Sequence, residues 1–217
     1  MAIWVKICGI TRLQDARAAF ENGADAIGLN FWPSSKRYCE PRRASDIVAA
    51  LGVGALVFGV FVRASRQEIT DIVAEVGLTG VQMHGGETPE AAEGWSVPVI
   101  RAISATTTQL VASELTAAQE RAGRVPSSVS AQPLFGTSRL LLDHASGGGS
   151  GKTIGPGVLE GLDLRQSILA GGLTPQNIAA TVARLRPYGV DTAGGVESAP
   201  GIKDARAMEA FVRAARS

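Results

Sequence analysis

Several short apolar runs in this chain end in polar side chains, and those side chains are the ones able to do chemistry. Ile3–Cys8 carries apolar residues at 3, 5 and 7, so Lys6 and Cys8 point to the opposite side. The same alternation puts Gln82 with His84 in Gly80–His84 and Arg101 with Val99 in Val97–Ile103, and Arg139–Asp143 ends on a carboxyl. A thiol, a carboxyl, a lysine and an arginine converging on one rim could exchange protons with a bound molecule and stabilise its charge. Each has a blander reading. A strand cysteine is more often inert core, Asp143 could cap a turn, Lys6 could snorkel, and His84 could be a satisfied rim histidine. Convergence on one rim favours the functional reading. With two histidines and no Cys/His cluster, no metal site is expected.

Glycine supplies 26 of the 217 residues, well above the typical share of about 7%. The surplus is clustered. Gly171-Gly172 follows one apolar run and Gly194-Gly195 the next. Paired glycines there leave backbone N–H groups free to face an anion, helped by a short helix N-terminus. A phosphate is the expected occupant, against the alternative that the glycines only make tight turns. Ser146–Thr153 mimics a nucleotide-binding P-loop, but its first position is serine and Ile154-Gly155-Pro156-Gly157 follows at once. A P-loop must run into a helix, which that segment prevents, so the mimic is rejected.

The elements needed to hold these groups repeat along the chain as apolar strand, polar or glycine loop, then helical period. Strands are expected at Ile3–Cys8, Ala24–Phe31, Ala55–Phe61, Gly80–His84, Val97–Ile103, Arg139–Asp143, Gln166–Ala170 and Val190–Thr192. Helix starts are read at Thr11-x-x-Gln14 and Ser65-x-x-Glu68 as capping boxes, and at Thr174-Pro175. Further helices are expected over Arg43–Leu51 and Gln109–Arg121, a short one after Thr88-Pro89, and another around Gly157–Leu162. Ile69, Ile72, Val73 and Val76 give one buried stripe, and Met208, Phe211, Val212 and Ala215 the last. Arg121 to Thr137 reads as a polar surface connection. Eight strand–helix units without a linker predict an α/β fold, one (β/α)8 TIM barrel spanning 1–217. The alternative is a doubly wound open sheet.

Composition excludes several classes. A net charge of +1 gives no field for nucleic acid or an acidic membrane. The longest apolar run, Ala55–Val62, is too short to cross a bilayer. Cys8 and Cys39 offer no disulfide framework, and no export signal opens the chain, so a cytoplasmic protein is expected. Cys39 has no partner motif and reads as core.

Taken together, Lys6-Ile-Cys-Gly-Ile-Thr11, Ser35-Lys-Arg-Tyr38, Gly59–Val62, Val81–Gly85, Leu141–Asp143, Gly148–Gly151, Leu169–Leu173, Gly194–Glu197 and Pro200-Gly-x-Lys-Asp204 resemble phosphoribosylanthranilate isomerase, in family order. The resemblance implies an Amadori rearrangement of N-(5′-phosphoribosyl)anthranilate in tryptophan biosynthesis, without cofactor. It implies Cys8 as general base, Asp143 as general acid, Arg37 on the substrate carboxylate, and Gly172, Gly194 and Gly195 in phosphate loops. Lys6, Gln82, His84 and Gly171 join them as expected substrate contacts, and Lys6 is close enough in sequence and parity to favour the Cys8 thiolate. Thr192-Ala-Gly stands where the family usually has serines, which preserves backbone contacts to phosphate but not hydroxyl ones. The expected partner is a phosphorylated small molecule, and the expected state a monomer or homodimer. The histidine-pathway Amadori enzyme is a rival, but it pairs two aspartates where this chain has Cys8. A phosphosugar-binding barrel without turnover is the non-enzymatic alternative.

Overall fold

The computed structural model describes residues 2–122, 138–144, 153–155 and 157–217. β1 (Trp4–Cys8), β2 (Ala26–Asn30), β3 (Val57–Phe61), β4 (Gly80–Met83), β5 (Val99–Ser104), β6 (Arg139–Asp143), β7 (Ile168–Leu169) and β8 (Gly189–Thr192) form a closed barrel in chain order. All pairings in it are parallel, and β1 closes the ring by pairing with both β2 and β8. The closure rules out the open sheet. Lys6 stands opposite Ala26 on one side and Asp191 on the other, and Cys8 opposite Gly28.

Strand alternation splits the core in two. Val5, Ile7, Ile27, Leu29, Val81 and Leu142 pack outward in the core shared with the helices. Trp4, Ala26, Phe58, Ile100, Leu141 and Ile168 fill the lumen. Trp4 meets Phe58 edge-on and stacks on Tyr188, each with centroids 6.2 Å apart, and the Arg139 guanidinium lies 3.6 Å from the Tyr188 ring centre. This plug fills the strands' N-terminal end, opposite the end at which such barrels carry their ligands.

The helices are α1 (Leu13–Glu21), α2 (Pro41–Leu51), α3 (Arg66–Val76), α4 (Thr108–Ala122), α5 (Ile178–Leu185) and α6 (Ala205–Ala215). α3 carries the capping box read from Ser65 and Glu68: Glu68 N donates to Ser65 Oγ at 3.2 Å, and Ser65 N to Glu68 Oε2 at 2.8 Å. The box read at Thr11–Gln14 does not form. The N-cap of α1 is Arg12, and the Thr11 hydroxyl instead donates to Gly201 O at 2.6 Å, tying the β1 loop to the loop after β8. α2 starts earlier than read, with Pro41 in its first turn.

α5 also departs from its expected start. Thr174-Pro175 opens a separate turn, and the helix begins at Ile178. Asn177 spends its side chain on that turn, its Oδ1 accepting Thr174 N at 2.8 Å and its Nδ2 donating to Gly172 O at 2.9 Å. The helix read at Gly157–Leu162 is a run of turns, because Gly157 and Gly161 sit at φ 83 and 76, outside helical space. A 3-10 turn over Pro89–Ala92 matches the short helix after Thr88-Pro89. After β8 comes a feature too short to leave a periodic signal: a 3-10 turn, Gly194–Val196, then the antiparallel pair β9 (Glu197–Ala199) and β10 (Ile202–Lys203). The connection read at Arg121–Thr137 and the P-loop mimic lie almost wholly outside the described residues. No helix among the described residues is long and apolar enough to cross a membrane.

Candidate active site

The open end of the barrel holds a cavity of about 370 Å³. Cys8, Arg37, Gln82, His84 and Asp143 all line it, together with Gly171, Gly172, Gly194 and Gly195. Lys6 lies beneath it, fully buried, with its Nζ 2.7 Å from Asp191 Oδ1. Asp191 was not among the residues read from sequence. The available signal was a carboxyl inside an apolar run, one pleat from lumen-facing Gly189.

Cys8 owes its place to Gly28, its cross-strand neighbour. A Cβ there would sit 2.8 Å from the sulfur and 3.4 Å from Lys6 Nζ. Burial pushes the Cys8 thiol above its ordinary value; Lys6 pulls it down, and Asp191 pushes it up again. The expectation that Lys6 would favour the thiolate is therefore met only in sign. The lysine's field is outweighed by burial, and its ammonium is shared between Cys8 and Asp191.

Asp143 accepts the His144 N–H on Oδ1 at 2.7 Å, and its Oδ2 stands 3.2 Å from His84 Nε2. His84 Nδ1 in turn lies 3.0 Å from Gln82 Nε2. The end of β4 thus reaches across to the end of β6. Gln82 Oε1 is buried and has no hydrogen-bond partner among the described residues.

The Arg37 guanidinium meets Glu197 with two parallel bonds, Nε to Oε1 and Nη2 to Oε2, both 2.7 Å. That bonding raises the Arg37 pKa. Burial acts to raise Glu197, yet Arg37 and Lys203 outweigh it and hold the carboxyl below its usual value.

The two glycine loops touch. Gly171 and Gly172 adopt φ 83 and 62, a region glycine enters without strain. A Cβ at Gly195 would fall 1.9 Å from Leu173 O, and the Thr192 hydroxyl donates to that same carbonyl at 2.8 Å. Only a bare backbone fits between the loops.

Arg101 does not join this rim. It shares the outward parity of Val99, pairs with Glu114 on α4, and donates to Glu87 O at 3.4 Å. Cys39 is fully buried in the outer core, where burial pushes its thiol up to about 11. Trp32, on the loop after β2, lines the cavity while 42% exposed, and no sequence pattern had marked it.

A family model described as N-(5′-phosphoribosyl)anthranilate (PRA) isomerase matches residues 5–214. The N-(5′-phosphoribosyl)anthranilate isomerase of Myxococcus xanthus (strain DK1622) is 44% identical over 221 residues, covering 100% of this chain and 98% of that protein. The crystal structure of phosphoribosyl anthranilate isomerase from Thermotoga maritima superposes with a TM-score of 0.80 at 33% identity, covering 98% of each chain. A phosphoribosyl anthranilate isomerase solved in complex with reduced 1-(o-carboxyphenylamino)-1-deoxyribulose 5-phosphate superposes with a TM-score of 0.76 at 30% identity, again over 98% of each. With a family model spanning nearly all of the barrel and relatives this similar over their whole lengths, the chain belongs to the N-(5′-phosphoribosyl)anthranilate isomerase family, enzymes of tryptophan biosynthesis.

Proposed function

We propose that this chain catalyses the Amadori rearrangement of N-(5′-phosphoribosyl)anthranilate to 1-(2-carboxyphenylamino)-1-deoxyribulose 5-phosphate, with Asp143 as general acid and Cys8 as general base. The observation carrying this reading is that a thiol and a carboxyl end β1 and β6 on one cavity, with paired-glycine loops and an arginine on its wall. The ligand named for the solved relative carries a phosphate and a carboxyphenyl group, the two anions those features suit.

Asp143, protonated, gives its proton to the furanose ring oxygen as the C1′–O bond breaks. The nitrogen lone pair closes a C=N bond, leaving an iminium. That cation acidifies the C2′ proton, which the Cys8 thiolate removes, and the enolamine formed becomes the ketone as a proton leaves the 2′ oxygen and another reaches C1′. Arg37 holds the aryl carboxylate through the guanidinium edge that Glu197 leaves open. The N–H groups around Gly171, Gly172, Gly194 and Gly195 hold the phosphate, while Gln82 and His84 face the ribosyl portion. Lys6 supplies the positive field under Cys8. The test is loss of substrate fluorescence in the presence of purified protein. Turnover lost in both Cys8→Ala and Asp143→Asn supports the reading; binding without turnover in the unaltered protein would leave only a phosphosugar-binding barrel.

A further inference from the structure

The conspicuous segments Gly194–Glu197 and Pro200–Asp204 carry two charged groups to which proton transfer gives no task, Glu197 and Lys203. They face each other across the β9–β10 pair. The Glu197 carboxylate serves two cations, accepting Arg37 Nε and Nη2 at 2.7 Å each and Lys203 Nζ at 2.8 Å. It also accepts the Gly201 N–H at 3.2 Å. Its side chain is 6% exposed, and that of Lys203 is fully buried. Lys203 Nζ makes a second bond, 3.0 Å to Ala193 O, at the entry to the Gly194-Gly195 turn.

Arg37 is seated by shape as well as charge. It crosses Gly9, where a Cβ would lie 2.4 Å from its Cδ, and its Nη2 lies against Gly194, 3.1 Å from where a Cβ would stand. One carboxylate between two cations leaves a net positive charge of one for incoming anions. A buried lysine without such a partner would be costly, so the carboxylate cannot be spared for Arg37 alone.

We infer that Glu197 is a positioning residue that sets both anion-binding arms of the site at once. It aims Arg37 at the aryl carboxylate and, through Lys203 and the Ala193 carbonyl, fixes the turn that holds the phosphate. The inference rests on the reading of the site given under Proposed function. The experiment measures inhibition constants for inorganic phosphate and for 2-aminobenzoate, each standing for one arm, together with KM and kcat. Arg37→Ala should raise the 2-aminobenzoate constant alone, and Gly195→Ala the phosphate constant alone. Glu197→Gln should raise both by about tenfold or more, the loss expected of charge-assisted bonds, and raise KM far more than it lowers kcat. Because Glu197→Gln strands Lys203 and could prevent folding, the paired variant Glu197→Gln/Lys203→Met removes that charge as well. It should still raise both constants. If both constants stay at the wild-type value in a folded variant, or only one moves, the proposal is overturned. A wild-type protein that binds both fragments but never turns over substrate would overturn the catalytic reading instead and leave this one standing.

Discussion

Lys6 Nζ stands 2.7 Å from Asp191 Oδ1 in the barrel lumen, and Cys8 lies one pleat further along the same strand. The lysine is thus shared between the Asp191 carboxylate and the Cys8 thiol. Burial raises the Cys8 thiol, Lys6 lowers it and Asp191 raises it. Iodoacetamide should therefore label Cys8 slowly at neutral pH, with a midpoint above the ordinary thiol value of about 8.5. Lys6→Met should move that midpoint higher and Asp191→Asn lower. Equal midpoints in all three proteins would mean that neither charge acts on the sulfur. Cys39, sealed in the outer core, should stay unlabelled until the protein unfolds.

The same pair makes a stability prediction. Asp191→Ala leaves the fully buried Lys6 without its partner, a loss of about 3–5 kcal/mol for a broken buried ion pair. The double variant Lys6→Met/Asp191→Leu removes both charges and fills the space, so it should recover most of that loss while remaining inactive. Urea unfolding of the three proteins decides it. A single variant as stable as the parent would show that Lys6 sheds its proton or finds water.

Gly28 tests how closely the thiol must be placed. Alanine there would put a Cβ 2.8 Å from the Cys8 sulfur, and none of its three nearest atoms belongs to either anion-binding arm. Gly28→Ala should lower kcat and leave KM within a few fold, because the sulfur moves but the binding loops do not. A variant in which KM rises instead would mean that the whole rim shifts.

Gly195→Ala tests the phosphate turn. The added carbon would overlap Leu173 O at 1.9 Å, so the loops after β7 and β8 must part. Steady-state kinetics should show KM raised about tenfold or more, on the scale of a lost charge-assisted hydrogen bond, and weaker competition by inorganic phosphate. Unchanged phosphate inhibition would remove the turn from the binding site.

Much of this architecture was legible because strand residues alternate. Trp4, Lys6 and Cys8 share the lumen while Val5 and Ile7 face the helices, a pattern readable in five letters. The same alternation misled at Arg101, since parity says which residues share a face but not which face is inside. Val99 turns outward in β5 and takes Arg101 with it to Glu114. Long-range charge partners were the least legible. Arg37 and Glu197 are 160 residues apart in sequence, and Lys6 and Asp191 are 185 apart. No local period reports such a meeting. Barrel closure makes it by setting β1 beside β8. The Thr11 capping signature failed for a related reason: its hydroxyl had a tertiary acceptor, Gly201 O, that outcompeted the helix start.

The proposed catalytic pair yields a prediction in which the pH effect separates the two groups. In the proposed mechanism turnover requires the Cys8 thiolate, which forms as pH rises, and a proton delivered by Asp143. Asp143→Asn removes the carboxyl's transferable proton while keeping its shape, and should cost roughly 10²–10⁴-fold. What activity remains depends on the thiolate alone, so it should climb with pH through the raised Cys8 value. Cys8→Ala removes that climb, and should also cost roughly 10²–10⁴-fold while leaving binding of inorganic phosphate intact. The decisive measurement is the pH–rate profile of Asp143→Asn taken into the alkaline range. A residual rate that falls with rising pH would assign the proton-removing step to a group other than Cys8. A fully active Cys8→Ala protein would remove the thiol from the mechanism altogether.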